Sequence, residues 1–356
     1  MTPLETLDSA GHKIFFQTRL KELTSLLEAQ KYSKVFLLTD EHTSVKCLPV
    51  LQEMLANFED FDLIETSAGE ENKTIDFCIG IWKTLLDFGA DRKSLMINLG
   101  GGVVTDMGGF IASTYKRGID FINIPTTLLS MVDASVGGKT GIDVDAAKNM
   151  VGTFSLPQMV FIEPEFLHTL PERELLSGFA EMIKHGLIAD KDFFYKLIKS
   201  DYRTPLPEDI YHSVKIKNDV VTEDPKEKNI RKILNFGHTI GHAVESYSLL
   251  HDESPLTHGE AIAIGFVCEA ALSVNNSNLP KNELKEIADY ITSIYPNYKI
   301  KEETFEELYL LMQSDKKNED GNILFSLLEN IGHCTYNCRV NKKDVFSALK
   351  YYNTLS

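Results

Sequence analysis

Three segments of the chain carry side chains able to bind a metal or move a proton. Glu181 lies in Ala180-Glu181-Met182-Ile183-Lys184. His238 and His242 lie in Asn235-Phe236-Gly237-His238-Thr239-Ile240-Gly241-His242, and His258 lies in Leu256-Thr257-His258-Gly259-Glu260. On a helix, residues four apart share a face, so His238 and His242 can address one centre. Thr239 stands where a His-Glu-x-x-His metalloprotease has glutamate, which removes that reading. A catalytic divalent-metal centre takes about three protein ligands and keeps one position open. Glu181, His238 and His258 supply such a set. His242, whose imidazole titrates near neutrality, is then left for proton transfer. Spacing alone leaves open which histidines ligate. Glu181 and Lys184 lie one helical turn apart, which by itself describes only a surface ion pair.

Two glycine-rich stretches come earlier. Gly100-Gly101-Gly102-Val103-Val104-Thr105-Asp106-Met107-Gly108-Gly109 follows an apolar run and opens a helix. Glycines there let the backbone approach a pyrophosphate, and a helix N-terminus favours its charge. The loop is not Gly-x-Gly-x-x-Gly, and a tight strand-to-helix turn accounts for it equally well. Asp133-Ala134-Ser135-Val136-Gly137-Gly138-Lys139-Thr140-Gly141 ends in Gly-Lys-Thr without a first glycine at the P-loop spacing, which disfavours a nucleoside triphosphatase. Lys139, with Lys148-Asn149 beyond it, still suits a phosphate or carboxylate.

The elements that must hold these residues follow from periodicity. Lys34–Asp40, Phe61–Thr66, Ser94–Leu99 and Phe121–Pro125 are short apolar runs that read as strands. Residues 74–88 show helical periodicity with Thr74 as N-cap, and the alternation argues a parallel α/β sheet. From Pro171 the pattern turns helical, over 172–188, 210–222, 233–249, 259–273 and 284–293. Ile323–Leu327 and Cys334–Val340 suggest a small hairpin. The domain boundary falls between Thr153 and Pro171.

Bulk properties narrow the partners. A chain of 356 residues accommodates two domains. A net charge of −16 argues against nucleic acid, which needs a basic surface. Basic residues gathered at motifs in so acidic a chain point to a pocket for a small anion. The five cysteines are odd in number and scattered, so no disulfide framework is implied, and Cys334 with Cys338 is a poor zinc-site match. No apolar run reaches the ~18 residues of a membrane span, and the N-terminus is not signal-like. A reducing, cytoplasmic setting is expected.

On these residues the chain resembles the 3-dehydroquinate synthase family along nearly its full length. The matching motifs are Gly69–Lys73, Gly100–Asp106, Tyr115–Gly118, Pro125–Leu129, Val132–Gly141, Lys148-Asn149, Leu170–Glu174, Glu181–Lys184, Asn235–His242, Leu256–Glu260 and Asp315-Lys316-Lys317. The resemblance implies an α/β N-terminal Rossmann-like domain that binds NAD, over 1–160. It implies a mainly α-helical C-terminal metal- and substrate-binding domain over 161–356. It also implies one divalent metal, zinc or cobalt, held by Glu181, His238 and His258. The NAD contacts implied are Asp40, Glu70, Lys73, Gly101, Gly102, Val103, Asp106, Thr126, Thr127, Lys148 and the segment from Phe166 to Thr169. Substrate contacts implied are Asp133, Lys139, Asn149, Lys184, Lys217, Arg231, Asn235 and Lys316 or Lys317, with Arg117 reaching across a homodimer interface. His242 and Glu227 resemble acid/base or relay residues, and Lys139 and Lys184 join them in the catalytic set. His42 departs from a common asparagine and Thr105 from a common glycine.

The substrate so implied is 3-deoxy-D-arabino-heptulosonate 7-phosphate, a sugar acid bearing carboxylate and phosphate, which fits the lysine and arginine cluster. The expected reaction is transient oxidation by NAD, phosphate elimination, re-reduction and intramolecular aldol closure to 3-dehydroquinate. The rivals are another sugar-phosphate cyclase, a metal-dependent polyol dehydrogenase and a non-catalytic scaffold. Arg231, Asn235 and Asn149 fit a carboxylate-bearing substrate and favour the first reading.

Overall fold

The computed structural model describes residues 4–55, 60–144, 147–313 and 323–355. It divides into two compact units, Met1–Pro171 with Leu206–Asn218, and Glu172–Pro205 with Asp219–Ser356.

The first unit is built on a seven-stranded sheet. Its strands are β1 (Leu7–Ser9), β2 (His12–Phe16), β3 (Val35–Asp40), β4 (Asp62–Thr66), β5 (Leu95–Gly100), β6 (Asp120–Pro125) and β9 (Met159–Ile162). They lie in the order β1-β2-β9-β6-β5-β3-β4, and only β1 with β2 is antiparallel. β7 (Lys139–Val144) and β8 (Ala147–Phe154) form a separate antiparallel hairpin. The helices are α1 (Lys21–Gln30), α2 (Glu41–Lys46), α3 (Leu48–Met54), α4 (Ile75–Asp87) and α5 (Gly102–Thr114). Strands covered on both faces read as continuous apolar runs, and all six residues of β5 are buried. Phe36, Leu38, Met96, Met107, Ile111 and Phe121 share one core. α5 lies close on the sheet because it carries glycines; a Cβ on Gly108 would meet Asn98 Oδ1 at 2.1 Å.

The chain order reverses between β3 and β5, because β4 goes to one side of β3 and β5 to the other. A crevice at the C-terminal ends of strands at such a reversal is where doubly wound sheets bind ligands. Asp40 ends β3, and Gly100 ends β5 just before Gly101 and Gly102.

The second unit is mainly helical: α6 (Glu172–Ala189), α7 (Lys191–Leu197), α9 (His238–His251), α10 (His258–Asn276), α11 (Lys281–Ile294), α12 (Phe305–Gln313) and α13 (Lys342–Asn353), with the hairpin β10 (Leu324–Asn330) and β11 (His333–Arg339). α8 (Pro207–Glu223) contributes its residues through Asn218 to the first unit. α10 is buried almost all round and touches α6, α9, α11, α13 and β10, so it is the central helix. No helix among the described residues is long and apolar enough to cross a membrane.

Two expectations need correction. The helix read over 233–249 is broken. Ile230–Asn235 is a short 3-10 turn, Gly237 adopts a left-handed φ of 79°, and α9 begins at His238. The apolar periodicity runs on through the break, and only the glycine marks it. Thr74 stands at the N-cap of α4 in extended conformation, but its side chain makes no capping hydrogen bond.

Candidate active site

In the second unit, α6, α9 and α10 each deliver one residue to a common point. Glu181 is fully buried in the middle of α6. The Nε2 atoms of His238 and His258 each lie 3.4 Å from its Oε1. One ligand atom from each of the three lies within 4.8 Å of the others. Neither carboxylate oxygen of Glu181 has a hydrogen bond of regular geometry. The Lys184 ammonium pairs with Oε2, while Oε1 faces the two imidazoles, the side on which a divalent cation would be met by all three groups. The donor set of two imidazoles and one carboxylate suits zinc or cobalt, so the residues fit a divalent ion. His242, half-buried on the next turn, meets the His238 ring edge-on with the centroids 5.1 Å apart.

The electrostatics follow from burial and neighbours. Burial pushes the Glu181 carboxyl up, but the Lys184 ammonium and the His238 ring outweigh it and hold it well below its ordinary value. Lys184 is itself buried and ion-paired with Glu181. The surface pair suggested by spacing is therefore an interior one. Burial and the nearby Lys184 charge lower the His238 imidazole below its ordinary value, against the pull of Glu181. Burial also lowers His258, yet Glu245 and Glu181 prevail and raise it to about 9.

The supporting contacts are ones the sequence reading missed. Glu245 on α9 places Oε2 3.4 Å from Nδ1 of His258, a carboxylate behind an imidazole whose other nitrogen faces the cluster. Ser177 Oγ on α6 accepts the Gly259 N–H at 2.9 Å and seats the first turn of α10. Thr257 and Glu260 close a capping box around His258. Only Thr257 and Glu260 carry a local signal, the Thr-x-x-Glu spacing. Nearby, Asn235 Nδ2 donates to Glu227 Oε1 at 2.9 Å, joining a substrate candidate to a relay candidate. Arg231 is buried, and its guanidinium donates to the Pro225 carbonyl at 2.8 Å.

The first unit gathers the other named residues. Lys73 donates to Asp106 at 2.7 Å and to Asn149 Oδ1 at 2.8 Å. Glu70 Oε1 lies 3.7 Å from Lys73 Nζ and 3.6 Å from Lys148 Nζ. Burial pushes the Lys73 ammonium down, and Asp106 and Glu70 outweigh it, so the group stays charged. Asn149 has a left-handed φ of 53°, and Asp143 Oδ1 accepts its N–H at 2.6 Å. Asp143 was not foreseen, because nothing in its local pattern sets it apart. Lys217 pairs with Asp133 Oδ1 at 2.7 Å.

Asp40 caps α2, accepting from the N–H groups of His42 and Thr43 at 2.9 and 2.8 Å, so His42 enters through its backbone. Thr105 turns its hydroxyl back to the Gly101 carbonyl at 3.2 Å, which accommodates it in place of glycine. A Cβ on Gly101 would meet Thr127 Cγ2 at 2.9 Å. The hydroxyls of Thr39 and Thr66, at the ends of β3 and β4, are buried without partners. These orphan hydroxyls and the glycine cradle at the strand reversal fit a polar dinucleotide. Val103 lies in the first turn of α5, Thr126 just after β6, and Phe166 and Thr169 in the short turn Pro164–Thr169. The Phe166 side chain is wholly enclosed and Thr169 is exposed. Arg117 is exposed at a left-handed φ of 71° beside Gly118, and Lys139 is exposed at the start of β7. Lys316 and Lys317 lie outside the described residues. All five cysteines are free.

Two family models match consecutive stretches of the chain. One is described as 3-dehydroquinate synthase N-terminal, over residues 63–177, and the other as 3-dehydroquinate synthase C-terminal, over 178–318. A 3-dehydroquinate synthase of Parabacteroides distasonis is 45% identical over 93% of this chain and 94% of its own. Among solved structures, a 2-deoxy-scyllo-inosose synthase with carbaglucose-6-phosphate, NAD+ and Co2+ superposes with a TM-score of 0.85 at 23% identity, covering 98% of this chain and 100% of that one. A 2-epi-5-epi-valiolone synthase from Streptomyces hygroscopicus with NAD+ and Zn2+ gives 0.82 at 24%, covering 99% of each. At such identity the two structures speak to the fold alone.

Proposed function

Because the chain belongs to the 3-dehydroquinate synthase family, we propose that it converts 3-deoxy-D-arabino-heptulosonate 7-phosphate to 3-dehydroquinate and phosphate, as an NAD- and metal-dependent carbon–oxygen lyase. The observation that carries this reading is the approach of His238 and His258 to the buried Glu181 carboxylate, each at 3.4 Å. Bound NAD supplies a hydride acceptor regenerated in each turnover, and a bound divalent cation supplies Lewis acidity toward substrate hydroxyls.

The remaining work falls to the side chains. Residues 1–160, with Phe166 and Thr169 just beyond them, carry the NAD contacts, and residues 161–356 the metal ligands Glu181, His238 and His258. Lys139, Asn149, Asp133 and Lys217 hold the substrate, as do Lys184, Arg231 and Asn235, with Lys316 or Lys317 added from the late motif. Arg231 suits a carboxylate or phosphate because its planar fork donates twice. His242 gives and takes a proton beside the metal ligands, and Glu227 orients Asn235. Held in this way, one substrate passes through several steps without diffusing. The same reading makes the enzyme a cytoplasmic homodimer in which the exposed Arg117 serves the neighbouring protomer. The free thiols accord with a reducing setting.

The test supplies the heptulosonate phosphate, NAD and zinc or cobalt, and follows phosphate release together with the absorbance of reduced NAD. Phosphate released without accumulating NADH is expected. Stoichiometric NADH would mean a dehydrogenase, and no phosphate release would overturn the substrate.

A further inference from the structure

We infer that Glu269, two turns from the end of α10, is a positioning residue that sets the ring of His238 through the peptide bond between Phe236 and Gly237. The inference rests on the metal reading above. Gly237 stands at the N-cap of α9, where no side chain of its own segment caps the helix. The open donors of that first turn are met by a neighbouring helix instead. Glu269 is fully buried, and its Oε2 accepts the Gly237 N–H at 2.7 Å while its Oε1 accepts the Ile240 N–H at 2.9 Å. A carboxylate at a helix N-terminus is favourable, and hydrogen bonds to a charged acceptor are the strong ones.

The Gly237 N–H and the Phe236 carbonyl belong to one planar trans unit, so fixing the N–H fixes the carbonyl pointing the opposite way. That carbonyl is the partner of His238 Nδ1, at 3.0 Å. A carbonyl can only accept, so Nδ1 carries a proton, which leaves Nε2, 3.4 Å from Glu181 Oε1, as the nitrogen available to a metal. Glu269 thereby selects the His238 tautomer and aim from 31 residues away in sequence. The helices are close enough for this because Gly265 lacks a side chain; a Cβ there would fall 1.8 Å from the Gly237 oxygen. An outer carboxylate usually reaches a ligating histidine directly, and here a peptide stands between.

The test compares the full-length Glu269→Gln and Glu283→Gln variants with the parent, each stripped by chelation and titrated with zinc and with cobalt against a competing chelator. Glu283 is the control: a buried carboxylate on α11 that accepts the Ile331 N–H at 2.6 Å and pairs with Lys191 at 3.0 Å, with no histidine among these partners. A glutamine at 269 can accept only one of the two N–H groups. We expect Glu269→Gln to weaken metal binding by about 10–100-fold and to alter the cobalt d–d spectrum, as loss of an outer-shell partner does. Glu283→Gln should lower the metal-free melting temperature without changing affinity or spectrum. Glu269→Asp, which keeps the charge, should recover part of the affinity and stands in if the glutamine variant fails to fold. Equal metal affinity in the parent and both Glu269 variants would overturn the inference while leaving the metal reading intact. A parent that binds neither ion would overturn both.

Discussion

At the scale of single residues, Glu181 and His242 have separable duties despite their closeness. Glu181 is buried with poorly satisfied oxygens, whereas His242 is half-buried and outside the cluster of Glu181, His238 and His258. Glu181→Gln should abolish tight metal binding, measured by metal content after gel filtration, while NAD binding survives. His242→Ala should retain the metal and lower kcat by about 10²–10⁴, the usual worth of a positioned acid or base. Metal lost from the His242 variant would exchange the two roles. His242, Glu245 and His258 also place ligand atoms within 4.8 Å of one another, so the experiment decides between two real geometries. The residue types pointed to Glu181 and the histidines, and the family resemblance to His238 and His258 among them, but the outer carboxylates Glu245 and Glu269 lay hidden. Each is an ordinary helical glutamate until its partner's position is known.

Among the elements, the break before α9 has the largest consequence. Gly237 has a φ of 79°, and a Cβ there would lie 2.3 Å from Phe266 Cδ1. Positive φ disfavours any side chain, and Phe266 is locked by stacking on Phe236 at 5.6 Å. Gly237→Ala should destabilise the chain by roughly 2–4 kcal/mol, combining backbone strain with overpacking. It should also weaken metal binding, because His238 is the next residue. Denaturant unfolding and metal titration of one preparation check both; an alanine variant with unchanged affinity would show that His238 does not depend on this turn. The strands around the strand reversal were legible from short apolar runs, as with Leu95–Leu99. β1, β2, β7, β8 and β9 were not, since they are short or rich in glycine and polar residues, and their pairing is long-range.

For the whole molecule, acid–base behaviour gives a further measurable consequence. Glu163 is 4% exposed, and burial raises its carboxyl from 4.5 to about 7 against the pull of the Arg19, Leu20 and Thr18 N–H groups. The folded chain holds this proton up to about pH 7, while the unfolded chain releases it near 4.5. Between those values the folded state binds more protons, so stability falls as pH rises. The contribution is full below 4.5 and lost through 7, on the order of 3 kcal/mol. Glu163→Gln removes the titration, so its stability relative to the parent should increase from pH 4.5 to 7.5 in urea unfolding. A difference between the two that stays constant with pH would mean that Glu163 is ionised in the folded chain.

The sequence by itself determined which side-chain types gather in the candidate site and which local elements carry them. Side-chain type and helical or strand period are properties of neighbouring residues, and they sufficed to place Glu181, His238 and His242 on helices, His258 just before one that in fact begins with it, and the Gly100–Gly102 turn after a strand. The tertiary structure alone decided burial and partnership. It converted the Glu181–Lys184 pair into an interior one, set Asp143 under Asn149, and brought Glu269 to the Gly237 N–H across 32 residues. Dielectric, tautomer and ring aim depend on which atoms lie within a few ångströms, and that is settled only when distant segments pack.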